Sequence, residues 1–302
     1  MKNKRISFIL CLAVCLTLPT ACVIKVNDPI SFSFEGTGNI QYENAERYTS
    51  GNGQASGIRH LDIEWSAGSV TVEPYEGSEV RFEENGSDSL QADDRLHYWV
   101  DGSTLHIRFR KAGQYQLKDM RFKQLLVQVP AHGNLDEVEV GSISADLKLL
   151  RLSCHEMDAE STSGEVEVNS VNCNECSIET VSGDIVLTNV SCRELSAEST
   201  SGEIRAEGKL ASDISIETVS GDIDLSPGKE TTRIETKSTS GRTLIRLPKQ
   251  SGFVLDARTT SGKVSSDFPV IINGTQYQYG KGEIRMSAES ISGDIHIAKQ
   301  SF

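Results

Sequence analysis

One short segment of this chain recurs at a fixed spacing. Close copies of "ETVSGDI" occupy four segments whose glycines are 19 residues apart: 160–166, 179–185, 198–204 and 217–223. Looser copies follow at longer spacings, around Gly241, Gly262 and Gly293. Upstream, "SADL" falls in the same frame, with Ala145 in the glycine's place. A fixed period of this length is typical of repeat proteins, in which each small unit stacks on the next.

Each copy alternates apolar and polar residues, as a β-strand with one buried side does. Around Gly221, for example, the apolar positions are Ile214, Ile216 and Ile223. A unit this short cannot bury its apolar side alone, and the segment has no helical period. The sequence therefore predicts an all-β fold, a parallel β-helix or solenoid with about eight coils over residues 135–298. Its glycines should form one line, each supplying a backbone angle that a side chain opposes.

The N-terminal residues predict export and a lipid anchor. Residues 1–21 combine Lys2, Lys4 and Arg5 with the apolar run "ISFILCLAVCLTL", the pattern of a secretory signal peptide. The run ends in "LPTAC", which resembles the lipobox of bacterial lipoproteins. We expect Cys22 to be the lipidated first residue of the mature chain, and cleavage nearby to release a secreted protein is the alternative.

The remaining chain divides into three predicted parts. Residues 22–57 are polar and rich in Gly, Ser and Asn, as in a tether. Residues 58–134 contain several strand-like runs without a clean period, and we interpret them as an N-terminal β region that caps the first coil. Residues 135–302 form the repeat β-helix.

Net charge limits the possible partners. The formal charge is −13, and removal of the predicted signal peptide makes it three units more negative. A chain this acidic is not expected to bind nucleic acid or acidic lipid headgroups. We expect the protein to contact the membrane through its lipid anchor alone.

Two columns of acidic residues flank the Ser-Gly bend. The first, four positions before the glycine, contains Glu160, Glu179, Glu198 and Glu217. The second, one position after it, includes Asp184, Glu203 and Asp222. Stacked like charges repel, so weak calcium binding is one interpretation and a solvated face is the other. No other cofactor is indicated. Where the columns turn basic, we expect pairs between Asp222 and Arg242 and between Glu217 and Lys237.

Three cysteines share the repeat spacing. Cys154, Cys173 and Cys192 are 19 residues apart and should stack, beside the inward-facing Cys176. Two of the three are candidates for a disulfide between adjacent coils in an oxidising compartment. The spacing "CNEC" also occurs in zinc and redox sites, but the repeat register accounts for it without a metal. The serines before each glycine have no histidine in register, which indicates a structural hydroxyl ladder rather than a nucleophile.

Several segments together resemble a known bacterial family. They are the lipobox-like signal, "LDIEWSAGSVTVEPY", "LLVQVPAHGNLDEVEV" and the serial "SGDI" repeats. Over residues 58–298 the chain resembles the candidate-adhesin β-helix domain of unknown function, related to the head-GIN type. The resemblance implies an extracytoplasmic β-solenoid in a bacterial envelope.

We therefore expect a non-catalytic cell-envelope lipoprotein. Its rigid surface would serve adhesion to, or binding of, a protein or glycan partner. The alternatives are a polysaccharide-active β-helix enzyme that uses clustered carboxylates, and a component of envelope-stress signalling. Only the segment 265–283 is long enough to build a cleft beside the short coils, which disfavours the enzyme.

Overall fold

The computed structural model describes residues 39–86, 90–114, 123–133 and 135–300. The predicted signal peptide and Cys22 lie outside these ranges. In them, the helical segments are two single 3-10 turns, Ala45–Arg47 and Ala92–Asp94. None of the described helices has the length and apolar character needed to cross a membrane.

The rest of the described structure consists of β-strands and turns. The strands before the repeats are β1 (Asn39–Ile40), β2 (Thr49–Ser50), β3 (Gly53–Ala55), β4 (His60–Tyr75), β5 (Val80–Asn85), β6 (His97–Asp101), β7 (Thr104–Arg108), β8 (Gly113–Gln114) and β9 (Gln124–Pro130). The next are β10 (Leu135–Leu150), β11 (Cys154–Ser161), β12 (Val166–Asn169), β13 (Glu175–Thr180), β14 (Ile185–Thr188), β15 (Glu194–Ser199), β16 (Ile204–Gly208), β17 (Asp213–Thr218) and β18 (Ile223–Pro227). The last are β19 (Arg233–Ser238), β20 (Thr243–Leu247), β21 (Phe253–Thr259), β22 (Val264–Ser266), β23 (Ile271–Asn273), β24 (Gln276–Tyr279), β25 (Ile284–Ser290) and β26 (Ile295–Lys299).

The repeats stack as a parallel β-solenoid, as the period predicts. Each repeat places one strand before the Ser-Gly bend and one after it, and β10 runs through its own bend. Equivalent residues lie opposite each other, so that Glu179 pairs with Glu160 below and with Glu198 above. The predicted fold class is confirmed.

The core lies between the two stacks of strands. The apolar positions of the alternating pattern face inward, and Ile178, Ile185 and Leu187 are fully buried. A further buried column closes the third side, where the chain passes from one coil to the next. Its members are Leu152, Val171, Val190 and Leu210.

The stack continues below the first repeat. β4 pairs in parallel with β10 along most of its length, from His60 opposite Glu137 onward. β7 and β9 pair in parallel with the other edge of β4 and form one more layer. Antiparallel pairing of β6 with β7 and of β5 with β9 then closes this end. β1, β2 and β3, which belong to the predicted tether, pair with β8, β6 and β5.

At the other end the layers do not follow the order of the chain. The last repeat, β25 and β26, lies inside the stack, with β19 and β20 on one side and β21 and β22 on the other. The line of glycines continues through this exchange, because Gly293 stacks on Gly241 and Gly262 stacks on Gly293. β23 and β24 form a hairpin, and β24 pairs antiparallel with β21. The hairpin thereby covers the edge strand of the final layer.

This order brings opposite charges together. From one layer to the next, the residue four positions before the glycine alternates in charge, in the order Glu217, Lys237, Glu289 and Arg258. The position after the glycine alternates likewise through Asp222, Arg242, Asp294 and Lys263. In chain order, Lys237 would stack on Arg258 and Arg242 on Lys263, and directly opposed like charges are destabilising. The two predicted ion pairs are confirmed, Lys237 to Glu217 at 2.7 Å and Arg242 to Asp222 at 3.7 Å.

The glycines of the bend are required for a reason that the sequence interpretation missed. Gly164, Gly183, Gly202 and Gly221 do not adopt a positive φ. Instead, a Cβ atom at Gly183 would lie 1.9 Å from the carbonyl oxygen of Gly164 in the coil below. Close approach of the stacked bends, rather than a special backbone angle, therefore excludes a side chain here.

A ladder of hydroxyl groups supports the same bends. Its buried members lie three residues before the glycine. In the serine column next to the glycine, Ser261 and Ser292 donate to backbone carbonyl oxygens of the adjacent layer. Thr180 Oγ1 accepts a hydrogen bond of 3.0 Å from the Gly183 N–H, and Ser161 Oγ accepts one of 2.8 Å from the Gly164 N–H. Both side chains are buried, so each bond satisfies a backbone donor that water cannot reach.

Candidate functional site

The first acidic column lies on a broader acidic surface. Side chains two residues apart on a strand share one face, so the column before the bend has a neighbour two positions upstream. We call this surface the carboxylate face and define it by Asp62, Glu64, Glu139, Asp158, Glu160, Glu179, Glu198 and Glu217. These residues lie on β4, β10, β11, β13, β15 and β17, in register from layer to layer.

Several carboxyl groups of this face have a raised pKa. Burial, reinforced by Asp62 and three neighbouring acids, raises the pKa of Glu139 to about 8. Burial, with Glu160 and Glu198 on either side, raises the pKa of Glu179 to about 7. Burial also raises the pKa of Glu160. Near neutral pH the face therefore combines ionised carboxylates with protonated carboxyl groups, and it offers hydrogen-bond donors as well as acceptors.

Arg108 and His106 compensate the lower end of the face. Arg108 is buried and makes a bidentate pair with Asp62, with N–O distances of 2.7 and 2.8 Å. Burial acts to raise the pKa of Asp62, but hydrogen bonds from His106 and Arg108 outweigh it, and the pKa lies below the usual value. Glu64 lies 3.3 Å from Arg108 Nε, and its pKa is nevertheless raised to about 7, chiefly by burial.

Aromatic rings cover this lower end, which sequence reasoning missed. The Trp99 ring stacks on His106 with centroids 5.2 Å apart, and the Arg47 guanidinium lies over the Trp99 ring, 5.1 Å from its centroid. Tyr48 packs against both Trp99 and His106. Aromatic residues make up only 6% of the sequence, yet Tyr42, Tyr48 and Trp99 come together at this end. The dipeptide "YW" at 98–99 was the available signal.

The second acidic column has a structural role. Asp184 Oδ1 accepts a hydrogen bond of 2.8 Å from the N–H of Glu203 in the next coil. Asp222 does the same for Arg242 at 2.7 Å, whereas Glu203 pairs with Arg205 at 2.6 Å. Aspartate occupies this position in every second coil of the 19-residue repeats, where its side chain accepts a hydrogen bond from a backbone N–H of the layer above. Glutamate occupies the position in the coils between.

The structure places the two acidic columns on opposite sides of the bend. Across the described ranges, no cluster of three or more His, Cys, Asp or Glu side chains has an arrangement that could hold a metal ion. Weak attraction of calcium to the face remains a prediction, and it would act through screened charge rather than through a coordination cage.

The cysteine column stacks as predicted. Isolated parallel bridges hold Ser153 opposite Asn172 and Asn172 opposite Ser191, which brings the three following cysteines into line. Cys154, Cys173 and Cys192 are half-buried thiols, and Cys176 is buried in the core. The disulfide between adjacent coils therefore remains a prediction.

One shallow depression lies away from these groups. It has a volume of about 350 Å³ and is open to solvent on one side. Its lining includes Ile58, Val80, Pro130 and His132, and it contains no member of the carboxylate face.

Comparison with known proteins identifies relatives at the level of the domain. The family model described as Toastrack DUF4097 matches residues 58–298. Solved structures of a candidate adhesin from Parabacteroides distasonis and one from Bacteroides fragilis are similar, at 13% and 11% identity and TM-scores of 0.49 and 0.40. The alignments cover 84% and 83% of this chain and 97% of each of those chains.

A candidate cell-adhesion protein from Clostridium sporogenes is 13% identical, with a TM-score of 0.27 over 82% of this chain and 100% of that one. These similarities are too low to transfer a function. No curated protein sequence matches the chain. The family match spans most of the described solenoid, and this chain belongs to the Toastrack family of domains of unknown function.

Proposed function

We propose that this protein is a non-catalytic binding protein of the bacterial cell envelope, and that the carboxylate face contacts its partner. The observation that carries the proposal is the set of half-buried carboxyl groups held in register on one face of a continuous parallel stack. Holding them there keeps like charges close together, which disfavours folding. A partner that supplies positive charge would relieve that repulsion.

Charge complementarity defines the chemistry of the partner. An acidic face favours a protein segment rich in Lys or Arg, or a wall glycan that carries free amines. Binding of such cations would favour the ionised forms of Glu139 and Glu179 and release protons. Affinity should therefore rise between pH 6 and pH 8, and it should fall with ionic strength.

The test uses defined probes. The full chain is incubated with isolated cell-wall sacculi and with glycans that carry or lack free amines, and both bound protein and released sugar ends are measured. We expect retention on the amine-bearing probes, lost when Glu160, Glu179 and Glu198 are changed to Gln. The matched control changes Glu165, Glu167 and Glu207, which follow the bends and lie outside the carboxylate face. Equal binding by both triple variants would contradict a role for the face.

One observation favours a second candidate, a polysaccharide-active enzyme. A protonated Glu139 beside the ionised Asp62 is the combination of acid and carboxylate that glycoside hydrolysis uses. Release of reducing sugar ends by the wild-type chain, but not by Glu139→Gln, would support this candidate against the binding protein.

Attachment to the membrane is the remaining part of the proposal. A lipid on Cys22 would place the solenoid outside the cytoplasmic membrane, and more than one acyl chain is needed for stable attachment. Changing Cys22→Ser should move the protein from the membrane fraction to the soluble fraction. Unchanged retention of that variant would argue against the anchor.

A further inference from the structure

Four thiol groups converge on one side of the solenoid. Cys154, Cys173 and Cys192 occupy equivalent positions in three successive layers, where the chain enters the first strand of each coil. Backbone hydrogen bonds of 3.1 Å hold this column, from Cys154 N–H to Asn172 O and from Cys173 N–H to Ser191 O. Cys176 reaches the same place from the core side, three residues after Cys173.

Cys173 occupies the central position among these thiols. Cys154 and Cys192 lie in the layers on either side of it, and Cys176 is three residues further along the same coil. The three neighbouring thiols lower the pKa of Cys173, and burial opposes them only in part. Cys173 and burial together raise the pKa of each of the other three thiols. Cys173 is therefore the most readily ionised thiol of the cluster.

This geometry differs from a simple stacked pair. Adjacent parallel strands lie about 4.8 Å apart, which is within the range of Cα separations that a disulfide spans. Cys154 and Cys192 are two layers apart, at about 10 Å, and cannot be bridged without movement of the backbone. Cys173 is the member of the column that has neighbours on both sides.

We propose that Cys173 is the thiol of this cluster that a hydroperoxide oxidises, and the shared partner of three alternative disulfides, formed with Cys154, Cys176 or Cys192. Cys173 Sγ attacks one oxygen of a hydroperoxide, the O–O bond breaks, and an alcohol or water leaves with a proton. Cys173 then carries a sulfenic acid. A neighbouring thiol attacks this sulfur, the S–O bond breaks, water leaves and the S–S bond forms. Overall, two thiols lose two electrons and two protons to the hydroperoxide.

The consequence is a reversible covalent link within the stack. A bond to Cys154 or Cys192 joins adjacent coils, and a bond to Cys176 closes a short loop within one coil. One sulfur holds one bridge at a time, so two thiols stay reduced and can exchange with it. This property is independent of the carboxylate face and of the proposed binding function.

The first test maps the disulfides directly. The full chain is treated with hydrogen peroxide, free thiols are alkylated, and the peptides are identified by mass spectrometry without reduction. We expect each disulfide of the cluster to contain Cys173. The variant Cys173→Ser should form disulfides at least about tenfold more slowly, whereas the matched Cys192→Ser should keep most of the rate. A bridge between Cys154 and Cys192, or equal rates for the two variants, would overturn the proposal.

A second measurement needs no variant. The wild-type chain is alkylated with a limiting amount of iodoacetamide at several pH values, and the modified cysteine is identified. We expect Cys173 to react first, and to keep reacting at a pH where the other three have become slow. If Cys154 or Cys192 reacts first at neutral pH, the assignment of the thiolate is wrong.

Discussion

At the bend of each coil, the residue type is set by the layer underneath. Gly183 does not have a positive φ, but the carbonyl oxygen of Gly164 occupies the space that a Cβ atom would fill. Gly202 and Gly221 repeat this contact at 1.8 Å. Because each bend touches the next, one added methyl group pushes two layers apart. The hydroxyl of Thr180 and the carboxylate of Asp184 then fix the amides on either side of the glycine.

Replacing Gly183 with alanine should therefore be severe. We expect a loss of about 3 kcal/mol or more in the free energy of unfolding, because the clash is with backbone and cannot be relieved by a rotamer change. The control is Gly102→Ala, where φ is +60° and no atom lies within 4 Å of the added Cβ. That change should cost only about 1 kcal/mol. Similar losses for the two variants in urea unfolding would show that crowding between layers is not the cause.

Among the elements, the ends of the solenoid depart from simple repetition. The last repeat inserts between two earlier ones, and the hairpin of β23 and β24 covers the final layer. At the opposite end, Lys123 is fully buried beneath the antiparallel strands. Its ammonium group lies 2.7 Å from Glu84 and 3.9 Å from the centre of the Phe109 ring. Contacts of charged side chains are thus present at both ends of the stack.

The inserted order predicts a specific sensitivity at Glu289. This residue lies between Lys237 and Arg258, so Glu289→Lys places three cations in consecutive layers. We expect a loss of about 1 kcal/mol at low salt that shrinks as salt is added. The same charge change at the exposed Glu283 should have less effect. A Glu289→Lys variant as stable as the Glu283→Lys variant at low ionic strength would contradict the role of charge in the order.

Lys123 should be essential for closure of the lower end. The Lys123→Met variant leaves Glu84 buried without its cation, and it removes the donor to the carbonyl oxygens of Asp94 and Phe109. We expect a loss of about 3–5 kcal/mol, measured by chemical denaturation. Adding Glu84→Gln should restore part of it, because the uncompensated charge is gone. A double variant no more stable than Lys123→Met would indicate that the lost carbonyl contacts dominate.

Across the whole molecule, charge is segregated along the solenoid. The carboxylate face occupies the lower and middle layers, and cations such as Arg242, Arg258 and Lys263 lie in the final ones. β1, which lies within the predicted tether, pairs with β8 at the lower end. A chain lipid-anchored at Cys22 would therefore hold the lower end of the carboxylate face nearer the tether than the final layers, in which the charges alternate in sign. The half-buried acids make stability of the entire stack depend on pH.

Stability should fall as pH rises above 5. Glu139 and Glu179 have pKa values of about 8 and 7 in the folded protein, against 4.5 for the ordinary group. Between those values the folded state holds more protons than the unfolded state, so the free energy of unfolding decreases with pH. We expect a lower melting temperature at pH 8 than at pH 5.5. Glu139→Gln should flatten this dependence and the exposed Glu156→Gln should not. A melting temperature that rises from pH 5.5 to pH 8 would be the opposite result.

The sequence predicted what repetition controls. The repeat period predicted the stacked layers. The alternation of apolar and polar residues predicted which side chains face inward, such as those of Ile178 and Leu187. The order of the layers was not predicted, although the change from acidic to basic residues at Lys237 and Arg242 was a signal for it. The burial of Lys123 was not predicted, because a lysine seen in a single sequence indicates an exposed position. The rings over Asp62 were missed because Tyr48, Trp99 and His106 come from separate segments that only the fold brings together.

The order of the layers is the central claim of this structure, and cysteine cross-linking tests it most directly. Residues 237 and 289 occupy adjacent layers, whereas 237 and 258 are separated by the inserted repeat. Adjacent strands are about 4.8 Å apart, within disulfide range, and strands two layers apart are about 10 Å apart, beyond it. The pair Lys237→Cys and Glu289→Cys should form a disulfide under mild oxidation, identified by peptide mapping, and the pair Lys237→Cys and Arg258→Cys should not. A disulfide between 237 and 258, with none between 237 and 289, would mean that the layers follow the order of the chain.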